Sequence, residues 1–146
     1  ADCIHDKEWL ETIYHFYTIN KPKLIIGPVL MYGNTFFENF QKIDFLSLIA
    51  SGAGSSGIGK PIMFNGANLA FENDVFMQLA DPMSNKEISG DDVFLMHKIK
   101  KLYPKQIKFL KSNKAIVFTK AEKDLTSFVN QRKRWASKKG IGSTSA

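Results

Sequence analysis

Two hydrophobic periods alternate along this chain, and that alternation constrains its fold more than any single motif. Residues 7–19 place Trp9, Ile13, Phe16 and Tyr17 at helical spacing, which predicts an amphipathic helix. Lys23–Tyr32 is β-branched and apolar (Ile25, Ile26, Val29), which predicts one buried strand with Pro28 near its end. Thr35-Phe36-Phe37-Glu38 has the residues of a capping box and predicts a helix through about Ile49. Further on, short strands are expected around Ile62–Phe64 and Leu69–Phe71, a helix from about Asp74, and a helix over Asp91–Leu102 closed by Pro104. Ile107–Leu110 and Ala115–Phe118 read as strands joined by Ser112-Asn113. Thr119-Lys120-Ala121-Glu122 reads as a second capping box that opens a last helix to about Lys139. Helices interleaved with strands make the expected class α/β.

At 146 residues with 44% hydrophobic side chains, one domain with its own core is expected. The apolar stretches Leu24–Ile26 and Pro28–Tyr32 are far shorter than the roughly 18–20 residues of a membrane span. One cysteine, Cys3, excludes an internal disulfide framework and fits a reducing compartment. His5, His15 and His97 stand too far apart to form a zinc pattern with it. Charge is divided unevenly: residues 1–96 hold twelve Asp/Glu against six Lys/Arg, and residues 97–146 hold fourteen Lys/Arg against Glu122 and Asp124. Such a basic end suits an anionic partner, whether phosphate, nucleic acid or a lipid surface, and equally suits a solvated lysine-rich face.

Gly52-Ala53-Gly54-Ser55-Ser56-Gly57 spells G-x-G-x-x-G, but a predicted helix precedes it and Lys60-Pro61 follows, so the dinucleotide and P-loop readings both fail. Residues 52–59 are expected to be a flexible glycine-serine loop. Ser89-Gly90-Asp91-Asp92 stands before an apolar helix, where the acids either favour the helix dipole or supply a general base to a cleft. In the last helix Gln131, Arg134 and Trp135 fall at i, i+3 and i+4 and are expected to share a face; Leu125, Phe128, Val129 and Ala136 are expected to dock on the core. A guanidinium beside an indole and an amide suits a diphosphate and a sugar ring. A basic helix lying on lipid or nucleic acid fits the same residues.

In order, Ala1-Asp2-Cys3, Asn65-Gly66-Ala67-Asn68, Gly90-Asp91-Asp92 and Gln131-x-x-Arg134-Trp135 resemble the family-2 glycosyltransferases of the GT-A fold, in the membrane-attached, synthase-like branch with a Q-x-x-R-W motif. The resemblance covers residues 1–139 and implies a partial GT-A fold, a mixed sheet flanked by helices, with 140–146 as a tail. It implies transfer of a sugar, with inversion, from a nucleotide-sugar donor (UDP-sugar favoured) to a saccharide or lipid-linked acceptor at the cytoplasmic face of a membrane, with nucleic acid disfavoured. By the same resemblance Asp2 matches the last aspartate of D-x-D, which holds Mg²⁺ or Mn²⁺ on the donor diphosphate. Asp92 matches the general base, with Asp91 as its neighbour. Gln131, Arg134 and Trp135 match the motif over the donor diphosphate, and Asn65, Gly66, Ala67 and Asn68 match a segment on the acceptor side.

The family's nucleotide-binding half, the first aspartate of D-x-D and the membrane helices after Q-x-x-R-W have no counterpart in this sequence. The resemblance therefore implies an acceptor-side part with little activity alone and an exposed apolar face where strands are missing. The alternative from another class is a non-catalytic basic module that binds nucleic acid or anionic membrane through residues 98–139.

Overall fold

The computed structural model describes residues 3–62, 65–78 and 98–139. Its strands form two small mixed sheets with helices against them, an α/β arrangement. In the first sheet β3 (Val29–Tyr32) runs parallel to the central β6 (Val117–Lys120), and β1 (Ile4–His5) pairs antiparallel on the other side. In the second, β2 (Leu24–Ile26) is central, with β5 (Ile107–Phe109) parallel and β4 (Leu69–Phe71) antiparallel. The helices are α1 (Trp9–Asn20), α2 (Phe36–Gly57), the short α3 (Asn73–Gln78) and α4 (Leu125–Lys139). A helical stretch at 98–102 and a 3₁₀ turn, Asn113–Ala115, complete the described residues.

The apolar run Lys23–Tyr32 is two strands in two sheets, not one. Pro28 has no N–H to give a ladder, so pairing breaks there. At the break the Gly27 N–H donates to the Asn68 carbonyl at 2.9 Å, and the Pro28 carbonyl accepts from Val117 at 3.1 Å. A Cβ on Gly27 would stand 2.3 Å from the Asn68 side chain, so only glycine fits.

Asn68 itself is 1% exposed. Its Nδ2 donates to the carbonyls of Pro28 and Ala115, both at 2.8 Å, and its Oδ1 accepts from the Trp9 indole at 3.1 Å. One amide thus ties the β2–β3 junction, the approach to β6 and the start of α1 to the residue that leads into β4. Core clusters lie around it. Leu24, Ile26, Val75, Ile99 and Ile107 pack together on one side; Val29, Met31, Phe45, Val117 and Ala121 pack on another. Each such side chain contributes roughly 2 kcal/mol by leaving water.

Two local expectations are overturned. The glycine-serine stretch continues α2 to Gly57 instead of forming a loop. Gly52 is buried, the Ser51 and Ser55 hydroxyls bond back to the carbonyls of Ser47 and Gly52, and the helix stops only near Gly59, whose φ is +73°. Packing outweighs glycine's weak helix propensity. The second capping box is not one: Thr119 and Lys120 belong to β6, and α4 begins five residues later than that box predicts, at Leu125. The first capping box is real, with Thr35 Oγ accepting from the Glu38 N–H at 3.2 Å and Glu38 Oε2 accepting from the Thr35 N–H at 2.8 Å. The Thr35 N–H, joined by the Asn34 N–H at 2.9 Å, holds the Glu38 carboxyl below its ordinary range. The strand expected around Ile62–Phe64 lies partly outside the described residues, as do the segments 79–97 and 140–146.

Beyond β4, Glu72 pairs with Lys23 and accepts from the Tyr17 hydroxyl at 3.0 Å. Above them α1 and β4 bound an open groove of about 420 Å³, walled by Leu10, Tyr14, Tyr17 and Phe71. The Lys23 hydrogen bond, with help from Tyr17, depresses the Glu72 carboxyl below its ordinary 4.5. A depressed carboxyl contributes stability that is complete above its unfolded value and is lost as pH falls through the folded one. Acid titration of the melting temperature should therefore fall more steeply below about pH 4.5 for the natural chain than for Glu72→Gln. Replacing Asn68 by Ala should cost about 2 kcal/mol in urea unfolding, because the Ala115 carbonyl and the half-buried Trp9 indole N–H lose the Asn68 amide as partner and the Pro28 carbonyl keeps only its Val117 donor.

Candidate functional site

The site segment on α4 is held from α2. Asp124 starts α4 by accepting from the Ser127 N–H at 2.8 Å and the Ser127 hydroxyl at 3.0 Å, contacts that lower its carboxyl pKa. Phe128 then sets its ring edge-on to Phe37 (5.7 Å between centroids) and to Phe40 (6.5 Å). Trp135 packs on Phe45 at 5.6 Å and joins the core around Val29 and Val117. The inward face of α4 is therefore Phe128, Gln131 and Trp135. Of the residues expected to dock on the core, only Phe128 does so; Leu125, Val129 and Ala136 face solvent. Leu125, Val129 and Ala136 lie some 80–120° around the helix from Trp135, enough to carry them past the contact with α2.

Two braces fix the segment, and both start on neighbouring turns of α2. In the first, the Gln41 amide, fully buried, pairs with both backbone groups of Glu122: its Nε2 donates to the carbonyl at 2.9 Å, and its Oε1 accepts from the N–H at 3.0 Å. The Glu122 carboxylate in turn accepts from Gln131 Nε2 at 2.9 Å. This leaves Gln131 Oε1 buried without a hydrogen-bond donor. In the second, Asp44 pairs with Arg132, whose guanidinium lies 4.8 Å from the Phe128 ring centre and 4.5 Å from that of Trp135. Arg132 Nε and Nη1 are buried and make no hydrogen bond; the faces of the two rings supply their electrostatic compensation.

Gln131, Arg134 and Trp135 are thus not equivalent members of one face. Gln131 is buried and Trp135 half-buried toward α2, while Arg134 is exposed. The sequence reading passed over Arg132, although Phe128, Arg132 and Trp135 stand at i, i+4 and i+7, the spacing of a continuous helical stripe. That signal was present in the sequence.

The other segment reaches α2 as well, further along. Asn65 Oδ1 accepts from the Ala67 N–H at 2.9 Å, and the Asn65 carbonyl accepts from the Asn68 N–H at 3.2 Å, forming a tight turn with Gly66 exposed at its tip. Asn65 borders a small crevice with Leu48, Ile49 and Gly52 of α2 and with Gly27. Gln41–Phe45 and Leu48–Gly52 are about two turns apart, on the order of 10 Å along the axis. Asn68 faces inward, and its side chain is engaged wholly inside the fold. Asp2, Asp91 and Asp92 lie outside the described residues.

The profile of the family described as Glycosyl transferase family group 2 matches residues 1–138. The chain belongs to that family. Neither the curated proteins nor the solved structures hold a match to it. Membership in this family makes sugar transfer the activity of the domain in general, with a nucleotide-sugar donor and an acceptor. Among the described residues of this glycosyl transferase no three His, Cys, Asp or Glu side chains converge to hold a metal ion. No described helix is long and apolar enough to cross a membrane.

The second brace makes a quantitative prediction. In a double-mutant cycle on urea unfolding, Asp44→Ala and Arg132→Ala should show a coupling of about 1 kcal/mol, the scale of a half-exposed pair held by ring stacking. Independent effects would mean that the guanidinium is held by the rings alone.

Proposed function

We propose that this chain is the acceptor-side part of an inverting, metal-dependent glycosyltransferase domain of the synthase-like, Q-x-x-R-W branch. It passes a sugar from a nucleotide-sugar donor, UDP-sugar first, to a saccharide or lipid-linked acceptor at the cytoplasmic face of a membrane. The observation that carries the reading is the family match over residues 1–138. The double brace from α2 supports it, since an immobilised Gln131 and Trp135 are what a site needs to orient a donor.

In this mechanism Asp92 takes the proton from the acceptor hydroxyl, with Asp91 beside it. The acceptor oxygen bonds to the anomeric carbon from the face opposite the nucleoside diphosphate, and the bond from that carbon to the diphosphate oxygen breaks. Arg134, exposed on α4, meets the negative charge that grows on the leaving group. Gln131, its amide held by Glu122, fixes the motif beneath the donor, and Trp135 supplies an apolar wall. Asn65 and Gly66 border the acceptor, and Asn68 acts by holding their turn rather than by touching the sugar. Asp2 would hold Mg²⁺ or Mn²⁺, which when bound neutralises diphosphate charge; a carboxylate sharing a hard cation with phosphate oxygens suits either ion.

Thermal unfolding of the full-length protein with UDP, GDP, CDP or dTDP, with and without Mn²⁺, tests the donor site. Stabilisation by UDP that requires the metal is expected, because a ligand stabilises the state it binds. Asp92→Asn should abolish turnover and leave that stabilisation intact. No shift with any nucleotide, together with salt-sensitive binding to nucleic acid through residues 98–139, would replace this reading with the basic-module one.

A further inference from the structure

The outer face of α2 carries a row of large apolar side chains that no described residue covers. Phe36, Phe40 and Ile43 stand at i, i+4 and i+7 and are 91%, 54% and 72% exposed. They lie opposite Gln41 and Phe45, the residues α2 turns inward. The row does not stop at the edge of the helix. Phe40 touches Phe128 of α4, and beyond Phe128 the exposed Leu125 and Val129 extend the same surface. Two helices thus present one apolar ridge.

The charge beside this ridge is net positive: α2 and residues 120–139 hold eight Lys/Arg against four Asp/Glu. The four carboxylates on α2, on α4 and in the segment between β6 and α4 are all engaged: Glu38 in its capping box, Asp44 with Arg132, Glu122 with Gln131, and Asp124 with Ser127. From Phe45 to Gly59 the sequence has no ionisable side chain. Lys120, Lys123 and Lys133 are exposed, and Lys120 is near enough to Glu38 to help lower its pKa. In sequence, Lys138 and Lys139 follow at the end of α4.

We infer that this ridge docks on an anionic lipid surface, with α2 lying along the bilayer plane, its phenylalanines among the acyl chains and the lysines at the headgroups. A bilayer needs no matching shape or hydrogen-bonding rim, and the ridge offers neither. It offers what interfacial helices use: bulky apolar residues on one face and a surplus of flanking cations. The inference deepens the membrane side of the proposed function by naming the surface, and it stands whether or not the domain transfers sugar.

Co-sedimentation of the 146-residue chain with vesicles tests it, using phosphatidylcholine alone and phosphatidylcholine with phosphatidylglycerol. Binding to the anionic vesicles is expected to exceed binding to the neutral ones about tenfold. Phe36→Ser with Ile43→Ser should weaken it by about tenfold while leaving the circular dichroism and the melting temperature unchanged, since both side chains are already in water. Lys123→Gln with Lys133→Gln should reduce the preference for anionic lipid. Equal binding by the serine variant would show that charge alone attracts the chain and would overturn the ridge. No sedimentation of the folded chain would overturn it too, as would a lipid-free dimer on size exclusion that the serine variant abolishes. Nucleotide stabilisation is read separately, so failure here leaves the donor reading standing, and the reverse also holds.

Discussion

The Asn68 amide closes contacts that the two sheets cannot close for themselves. The chain leaves β2 at Gly27, crosses to the other sheet at Pro28 and enters β6 past Ala115; the Pro28 carbonyl there accepts from Val117 as well as from Asn68, and the Ala115 carbonyl accepts from Asn68. A buried carbonyl without a donor costs free energy on the scale of a lost hydrogen bond. Asn68 supplies two donors to those carbonyls and one acceptor to the Trp9 indole, and it fits only because Gly27 has no side chain. The division into two sheets, and with it the placement of α1, depends on this one polar group being satisfied on every side.

Helix α2 then carries that order to the candidate site. Its inward face touches, in turn, Glu122 through Gln41, Arg132 through Asp44, Trp135 through Phe45, and the Asn65 crevice through Gly52. Segments more than fifty residues apart in sequence are thereby referred to one rigid rod. The same helix spends its inward face on organising the site and leaves its outward face exposed. A division of this kind is what a domain needs if it works on substrates delivered at a surface.

Misreadings of the sequence share a cause. Thr119-x-x-Glu122 satisfies the local rule for a capping box, yet Thr119 and Lys120 pair with β3, and Glu122 faces Gln41 and Gln131. Gly52–Gly57 satisfies the local rule for a loop, yet burial of Gly52 and Ser56 keeps it helical. Thr35-x-x-Glu38 follows the same capping rule and obeys it, because the hydrogen bonds of both side chains go to neighbours in the cap. Local rules hold where the residues have no long-range partner and fail where they do.

By itself the sequence determined the α/β class, the positions of α1, α3 and the start of α2, and the family, because hydrophobic period, turn residues and short motifs act between near neighbours. Only the tertiary structure decided that Lys23–Tyr32 divides between two sheets, that Asn68 faces inward and that Arg132 stacks on Trp135. Those outcomes depend on partners 40 to 88 residues away, Pro28 and Ala115 for Asn68 and Asp44 for Arg132. No local pattern encodes which buried donor will find which buried acceptor; that is fixed only when the core closes around them.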